Sequence, residues 1–263
     1  MAADARGPLA GRGILVTRPR AQAEALARLI REAGGEPLVF PAIEIRDLPD
    51  LGPILAKIDR LEEFDLAIFI SPNAVHKALN LVQARRARRP WPSRLRVAAV
   101  GRGSRRELEQ QGFAEVIAPA AHADSEALLA LPELNAVAGK RIVIFRGDGG
   151  RELLGDTLAA RGAGVEYAEC YRRGKPELDT APLMKAWARN ELHAITVTSS
   201  EGLRNLFDMI GKLGQTWLRK TPLFAPHPRI AATARELGLT VVIETGPGDE
   251  GLVAQLEQYF GGR

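Results

Sequence analysis

Short apolar runs alternate with stretches of helical spacing along the whole chain. Almost no polar residue interrupts these runs, a pattern typical of strands buried on both faces of a parallel sheet. One such run opens the segment Ile14–Ile30, and the others are Leu66–Ser71, Val97–Gly101, Glu115–Pro119, Ile142–Gly147, Ile195–Ser200, Leu223–Pro226 and Val241–Thr245. Between them, apolar residues recur at helical spacing, as at Leu26, Leu29 and Ile30. The pattern predicts an α/β fold with helices on both faces of parallel sheets.

The chain also contains a weak internal sequence repeat. "LAIFISPNAVHKAL" aligns with "AITVTSSEGLRNLF" when Ser71 is placed over Ser199, and "ILVTRP" aligns with "IVIFRG" when Arg18 is placed over Arg146. The arginine-bearing unit opens the chain, yet its expected sheet partners come much later, which predicts one α/β lobe inserted into another. The predicted parts are a discontinuous first lobe (1–38 and 175–263), a two-stranded connector (39–45 and 167–174) and a second lobe (46–166). Hinged lobes are expected to hold a ligand between them; two independent response-regulator-like domains are the alternative.

Composition narrows the class of protein. An apolar content of 46% is that of a globular protein, and no apolar run approaches the roughly 20 residues that span a bilayer. The segment "MAADARGPLAGRG" lacks an apolar signal core, so we expect no export and a cytoplasmic location. The lone Cys170 excludes an intramolecular disulfide and a cysteine-based zinc cluster. A net charge of +4 favours anionic partners only mildly.

Two glycine-containing loops precede helical segments. "GRGSRREL" has two of the three glycines of a dinucleotide fingerprint, and "RGDGGREL" lacks the Gly-Lys-Ser/Thr of a phosphate loop. Both are expected to present backbone N–H groups at a helix N-terminus, where a carboxylate or phosphate binds. Simple turn chemistry is the competing interpretation.

The polar residues form no recognised catalytic constellation. Ser71-Pro72-Asn73 and Ser199-Ser200-Glu201 have the composition of helix N-caps, and no histidine is arranged to activate either serine. The histidines are too scattered for a metal site, although His227 follows a predicted strand, at the end where open α/β sheets bind ligands.

The basic run Ala84–Arg96 is expected to be a solvated loop, with nucleic-acid contact as the alternative. Tyr171 can donate a proton to a leaving oxygen or simply cover core.

Several segments together resemble uroporphyrinogen-III synthases, in the order of that family. They are "LVTRP", "GGEPLVFPAIEI", "FDLAIFISPNAV", "VAAVGRGS", "GGRELLGDTLAARGAGVEYAECYRR", "TVTSSEGLRNL" and "HPRIAATARELG", and the resemblance extends from Ile14 to about Tyr259. It implies two flavodoxin-like lobes joined by a two-stranded connector.

The resemblance also implies a reaction. The family closes hydroxymethylbilane, a linear tetrapyrrole, into uroporphyrinogen III, with loss of water and inversion of ring D. It uses no metal or organic cofactor. Each pyrrole of the substrate carries an acetate and a propionate, so the turn formed by Thr17 and Arg18 is expected to meet carboxylates. Loss of the hydroxyl gives an azafulvene that cyclises unaided to the uninverted isomer, so catalysis by conformational restraint is implied.

Residue roles follow from the same resemblance. Tyr171 occupies the place of the connector tyrosine that is proposed to assist departure of the hydroxyl. The substrate-binding positions implied are Thr17, Arg18, Ser71, Asn73, Ser104, Arg146, Arg151, Ser199, Ser200, His227 and Arg229. One turn departs from the family: many relatives have Gly-Pro-Thr-Thr where this chain has His227-Pro228-Arg229-Ile230. Thr233 follows about one helical turn later, and Arg229 is expected to bind a carboxylate instead.

These expectations describe a monomeric cytoplasmic lyase of tetrapyrrole synthesis. Its substrate is hydroxymethylbilane, received from hydroxymethylbilane synthase, and it has no nucleic-acid or membrane partner. A non-catalytic two-lobe sensor of small anions and a nucleic-acid-binding protein using Arg85–Arg96 are the alternatives.

Overall fold

Contacts divide the chain into two units. The computed structural model describes residues 7–87, 89–120, 124–150 and 152–261. The first unit contains the described residues of Met1–Glu44 and Gly174–Arg263, and the second contains those of Ile45–Arg173. The first unit is therefore assembled from two separate stretches of chain. The connector at 39–45 and 167–174 stays a prediction.

The first unit is a five-stranded sheet with helices on both faces. Its elements are β1 (Gly13–Val16), α1 (Arg20–Glu32), β2 (Glu36–Val39), α8 (Ala181–Ala188), β9 (Ala194–Thr196), α9 (Ser200–Met209), α10 (Gly211–Lys220), β10 (Leu223–Ala225), α11 (Pro228–Glu236), β11 (Val242–Glu244) and α12 (Gly248–Gly261). The strand order is β11-β10-β9-β1-β2, and these strands pair in parallel.

The second unit contains a six-stranded sheet. Its elements are β3 (Glu44–Arg46), α2 (Gly52–Ile58), a 3-10 turn (Leu61–Glu63), β4 (Leu66–Phe69), α3 (Pro72–Arg86), β5 (Arg96–Ala99), α4 (Arg102–Gln110), β6 (Val116–Ile117), α5 (Ser125–Leu129), α6 (Pro132–Asn135), β7 (Arg141–Gly147), α7 (Leu153–Ala160) and β8 (Gly164–Gly174). The strand order is β3-β8-β7-β4-β5-β6, and the strands from β8 to β6 pair in parallel.

The two sheets have the same internal order. The order β2-β1-β9-β10-β11 in the first sheet matches the order β8-β7-β4-β5-β6 in the second, which has β3 as an additional edge strand. The chain enters the shared order at a different strand in each unit. The segments that echo each other in the sequence occupy equivalent strands: those before Ser71 and Ser199 are β4 and β9. The predicted α/β fold with parallel sheets is confirmed.

Each sheet is buried on both faces, which explains the uninterrupted apolar runs. Leu15 of β1 packs into one cluster with helices α8 to α11, whereas Ile14 and Val16 pack into another with α1 and α12. In β7, Val143 and Ile144 divide in the same way between two clusters of the second unit. Successive residues of a strand thus face opposite cores.

The basic run Ala84–Arg96 is not entirely the solvated loop that the sequence predicts, because its first residues are helical. Helix α3 extends through Arg86, and the Arg85 guanidinium donates to both carboxylate oxygens of Asp59 at 2.9 and 2.8 Å. The Arg86 guanidinium is buried, donates to the Ile58 carbonyl at 3.1 Å, and pairs with Glu62. Hydrogen bonding to Arg86 lowers the pKa of Glu62 to about 2. Two arginines of the basic run are therefore paired with carboxylates of the same unit.

Pairing of β1 with β9 joins the two stretches of the first unit. At one end, the backbone N–H of Gly13 donates to the imidazole Nδ1 of His193 at 3.0 Å. The backbone N–H of His193 donates in return to the Gly13 carbonyl at 2.8 Å. At the other end, Thr17 Oγ1 donates to the Thr196 carbonyl and Thr196 Oγ1 donates to the Leu15 carbonyl, both at 2.9 Å. Burial lowers the pKa of His193, so the imidazole is held in its neutral, accepting form.

We predict that protonation of His193 weakens this junction. Because the folded pKa lies below the unfolded value of 6.5, the imidazole stabilises the fold fully above pH 6.5. That contribution is lost as the pH falls through the folded pKa, with a cost of about 1 kcal/mol for the hydrogen bond. Urea unfolding between pH 8 and pH 5 should therefore be less pH-dependent for His193→Gln than for the wild type. Equal pH dependence of the two proteins would contradict this assignment.

Candidate functional site

The predicted site residues follow the carboxyl ends of the parallel strands, the edge at which open α/β sheets bind ligands. In the first unit this edge carries Thr17, Arg18, Ser199, Ser200, His227 and Arg229. In the second unit the edge, together with the end of β8, carries Ser71, Asn73, Ser104, Arg146 and Tyr171. Arg151 lies outside the described residues.

Ser71 and Tyr171 meet directly. Ser71 Oγ lies 3.0 Å from Tyr171 Oη, and the same oxygen accepts the Ala74 N–H at 3.1 Å. Ser71 is therefore the N-cap of α3, as the sequence predicts, and its position is fixed by the helix. Tyr171 is 3% exposed, and its ring packs into a core cluster of the second unit. At this edge, the hydroxyl of the buried Tyr171 is thus held by the serine that caps α3.

Arg146 supplies a buried positive charge on the face of the second sheet that carries Tyr167 and Glu169. The guanidinium lies 3.8 Å above the centre of the Tyr167 ring, and Nη2 donates to Oε1 of Glu169 at 3.2 Å. Its Nε and Nη1 atoms are buried and have no hydrogen-bond partner among the described residues. Burial raises the pKa of Tyr167. Arg146 therefore packs against Tyr167 and binds Glu169, while these Nε and Nη1 donors are shielded from solvent.

The loop after β7 is fixed by the neighbouring strand. Gly149 and Gly150 have φ angles of 61° and 109°, in the left-handed region that favours glycine. The Gly149 N–H donates to Glu169 at 3.3 Å, and the Asp148 carboxylate accepts the Arg173 N–H at 2.8 Å. The "RGDGGREL" loop therefore leaves fewer open N–H groups than the sequence suggested.

The start of α4 is more open. Its N-cap, Gly101, has no side chain to accept a hydrogen bond, so the first N–H groups of the helix lack a side-chain cap. Ser104, in the first turn of this helix, is 2% exposed, and Asn73 in the first turn of α3 is half-buried. A helix N-terminus of this kind suits a carboxylate.

In the first unit, the turn after β1 meets a carboxylate of its own chain. Arg18 Nη1 lies 2.5 Å from Oδ1 of Asp249, in the first turn of α12. Thr17 is buried, and its hydroxyl is bonded to Thr196. Asp249 is absent from the predicted site because nothing in the local sequence links it to a turn at the other end of the chain.

Two further caps complete this edge. Ser199 Oγ accepts the Gly202 N–H at 3.0 Å, which confirms the predicted capping of α9. His227 caps α11, with Nδ1 accepting the Arg229 N–H at 3.1 Å. The Arg229 side chain is exposed.

Thr233 lies beside these caps, although it is one turn further along α11 than the residues predicted for the site. Its Oγ1 is 3.0 Å from Ser200 Oγ and 3.1 Å from the Arg229 carbonyl. The structure thus brings a threonine hydroxyl to Ser200. The helical spacing places Thr233 one turn after Arg229, but nothing in the sequence pairs it with Ser200.

Other kinds of site find less support. Among the described residues, no group of three or more His, Cys, Asp or Glu side chains could hold a metal ion. No helix in the described ranges is long and apolar enough to cross a membrane. A cavity of about 450 Å³ lies beside β5 and the edge strand β6, lined in part by Arg96, Phe113 and Glu115. None of the predicted site residues lines it.

Comparison with known proteins identifies the family. The family described as uroporphyrinogen-III synthase HemD matches residues 24–254. Uroporphyrinogen-III synthase of Salmonella typhimurium is 40% identical over 229 residues, which cover 86% of this chain and 91% of that protein. The Escherichia coli K12 enzyme is 38% identical over 226 residues, with the same coverage of 86% and 91%.

A solved structure supports the fold. A mutant uroporphyrinogen III synthase from Thermus thermophilus superposes with a TM-score of 0.61 at 18% identity, covering 96% of this chain and 99% of that one. At this identity the likeness concerns the fold alone. The family match and the curated relatives, however, cover most of the chain, and the chain belongs to the uroporphyrinogen-III synthase family.

Proposed function

We propose that this enzyme cyclises hydroxymethylbilane to uroporphyrinogen III, with loss of water and inversion of ring D, in tetrapyrrole biosynthesis. The observation that carries the proposal is 40% identity to a uroporphyrinogen-III synthase over 86% of the chain. The carboxyl edges add the chemistry: a phenol, arginine side chains and several helix N-termini suit a substrate that carries two carboxylates on each pyrrole.

The reaction demands positioning more than strong acids or bases. Loss of the hydroxyl gives an electrophilic azafulvene, which closes spontaneously to the uninverted isomer. Inversion requires ring D to attack through its already substituted carbon, giving a spiro intermediate that reopens and recloses. Holding the chain in that rare conformation is an entropic contribution that fixed binding groups can supply.

Tyr171 is our candidate for assisting departure of the hydroxyl. A phenol donates a hydrogen bond or proton to an oxygen that is leaving with its electron pair. Ser71 Oγ holds Tyr171 Oη at 3.0 Å and is itself fixed by the Ala74 N–H. With Ser71 Oγ donating its proton to Tyr171 Oη, the phenol keeps its place beside Ser71 and directs its own proton to the leaving oxygen.

The carboxylates of the substrate are assigned to the helix N-termini and arginines of the two edges. The open start of α4 and the exposed Arg229 are available directly. Arg18 exchanges Asp249 for a substrate carboxylate, since both side chains of that pair are partly accessible at 15% and 18%. Thr233, placed beside Ser200, supplies a hydroxyl near the turn that departs from the family pattern.

We further propose a monomer that works in the cytoplasm and receives its substrate from hydroxymethylbilane synthase. Direct transfer would protect a linear tetrapyrrole that cyclises spontaneously to the wrong isomer. The only cysteine, Cys170, is a buried free thiol, which suits a reducing compartment. The alternative of a non-catalytic anion sensor has no support in the comparisons.

The direct test supplies hydroxymethylbilane and identifies the product. Oxidation to the uroporphyrin and chromatographic separation of isomers should give isomer III at a rate well above the spontaneous reaction in buffer. Isomer I alone, at the spontaneous rate, would overturn the proposed function. Tight binding of a different anion without turnover would favour the sensor.

Replacement of the phenol should affect turnover more than folding. We expect Tyr171→Phe to lower kcat by about 100-fold, because the leaving hydroxyl loses its donor. The ring still packs and the hydrogen bond to Ser71 is lost, so the free energy of unfolding should fall by about 1 kcal/mol. Steady-state kinetics and urea unfolding measure the two effects.

Tyr259→Phe is the matched control for this substitution. The Tyr259 ring packs edge-on against Phe224 and Phe260 in the first unit, at 5.5 and 5.0 Å between ring centres. It should retain the wild-type rate. A wild-type rate for Tyr171→Phe as well would show that the phenol is not needed.

A further inference from the structure

The Tyr171 ring lies against a residue that has no side chain. A Cβ added to Gly147 would lie 2.5 Å from Cε2, 2.7 Å from Cζ and 3.1 Å from Oη of Tyr171. Carbon atoms do not approach so closely, so an alanine at position 147 and the present position of the ring exclude each other. Gly147 does not have a positive φ, and an alanine would therefore fit the backbone itself.

An irregularity in the sheet turns Tyr171 to the side of Ser71. Strands β7 and β8 pair residue by residue as far as Arg146 and Glu169, but Gly147 then pairs with Tyr171. Cys170 is the extra residue of β8, and this defines a β-bulge. Ala168, Cys170 and Tyr171 consequently pack into the same core cluster. Strict alternation would have placed Tyr171 on the opposite face, with Tyr167 and Glu169.

Hydrogen bonds on both sides hold the bulge. The Cys170 thiol donates to the Arg146 carbonyl at 3.0 Å, and burial raises the pKa of this thiol to about 12, which keeps its proton in place. Beyond the bulge, the Asp148 N–H donates to the Tyr171 carbonyl at 2.8 Å. The backbone of Tyr171 is thus fixed, and the position of its ring depends on the space above Gly147.

We propose that Gly147 is a positioning residue for the reaction, because its missing side chain leaves the place that the Tyr171 ring must occupy to bring its hydroxyl to Ser71. The proposal rests on the role assigned to Tyr171 in the proposed function. Gly147 touches no reacting atom and acts through Tyr171 alone. The bulge determines on which face of the sheet the Tyr171 ring lies, and the missing side chain of Gly147 allows the ring to lie close against the backbone of β7.

Gly147→Ala tests the proposal kinetically. We expect kcat to fall to within about threefold of the Tyr171→Phe value, with KM changed less than about threefold, since displacement of a catalytic group costs transition-state stabilisation. The double variant Gly147→Ala/Tyr171→Phe should be no slower than Tyr171→Phe alone. Gly164→Ala is the control, because it lies on the neighbouring strand β8 and its added Cβ would come no closer than 4.0 Å to the Lys140 carbonyl oxygen.

A second readout follows the ring without reference to activity. The chain has three tyrosines, so a protein labelled with 13C at tyrosine Cζ gives three signals, which Tyr→Phe variants assign. Gly147→Ala should shift the Tyr171 signal and leave the Tyr259 signal in place. Gly164→Ala should shift neither.

The outcomes separate this proposal from the function on which it rests. An unshifted Tyr171 signal overturns the positioning role, and so does a double variant much slower than Tyr171→Phe. A shifted signal in a chain whose Tyr171→Phe variant keeps the full rate overturns the catalytic role of the phenol. That result would leave the steric link between Gly147 and Tyr171 supported.

Discussion

Parallel strands impose one constraint on which the candidate site depends: their carboxyl ends all meet at one edge of the sheet. In both units the helices begin at this edge, directly after the strands, so capping residues and helix N-termini lie there side by side. Ser71 and Ser199 occupy equivalent positions in the two sheets and accept the N–H of the residue three positions later. An edge of this kind gathers groups that bind anions without any dedicated motif, and a substrate rich in carboxylates suits it.

The same constraint explains why the reaction needs so few specialised residues. A polyanionic chain held at many points loses conformational freedom, and that loss favours the rare geometry that inverts ring D. One group then has to meet the leaving hydroxyl. In the second unit, the phenol of Tyr171 is held by Ser71 at this edge and backed by a strand with a bulge. In the proposed mechanism, the position of this phenol therefore depends on one backbone irregularity, the bulge at Cys170.

Much of this arrangement could be predicted from the sequence, because the responsible forces are local. Apolar runs such as Leu66–Ser71, which contains β4, predict strands buried on both faces. Serines placed directly before helical segments predict the N-caps of those helices. Three features could not be predicted. The bulge at Cys170 depends on the pairing of two strands, the Arg18–Asp249 pair joins distant parts of the chain, and Thr233 reaches Ser200 only after two helices pack together. Contacts between distant residues leave no periodic signal in the sequence.

Hydrogen–deuterium exchange with bound product tests the central claim that the carboxyl edges bind the tetrapyrrole. With uroporphyrinogen III added under anaerobic conditions, exchange should slow in peptides covering 70–74 and 101–105 of the second unit and 198–202 and 227–231 of the first. Peptides 92–96 and 113–117, beside the cavity at β5 and β6, should exchange as before. Protection confined to those two peptides would contradict the account.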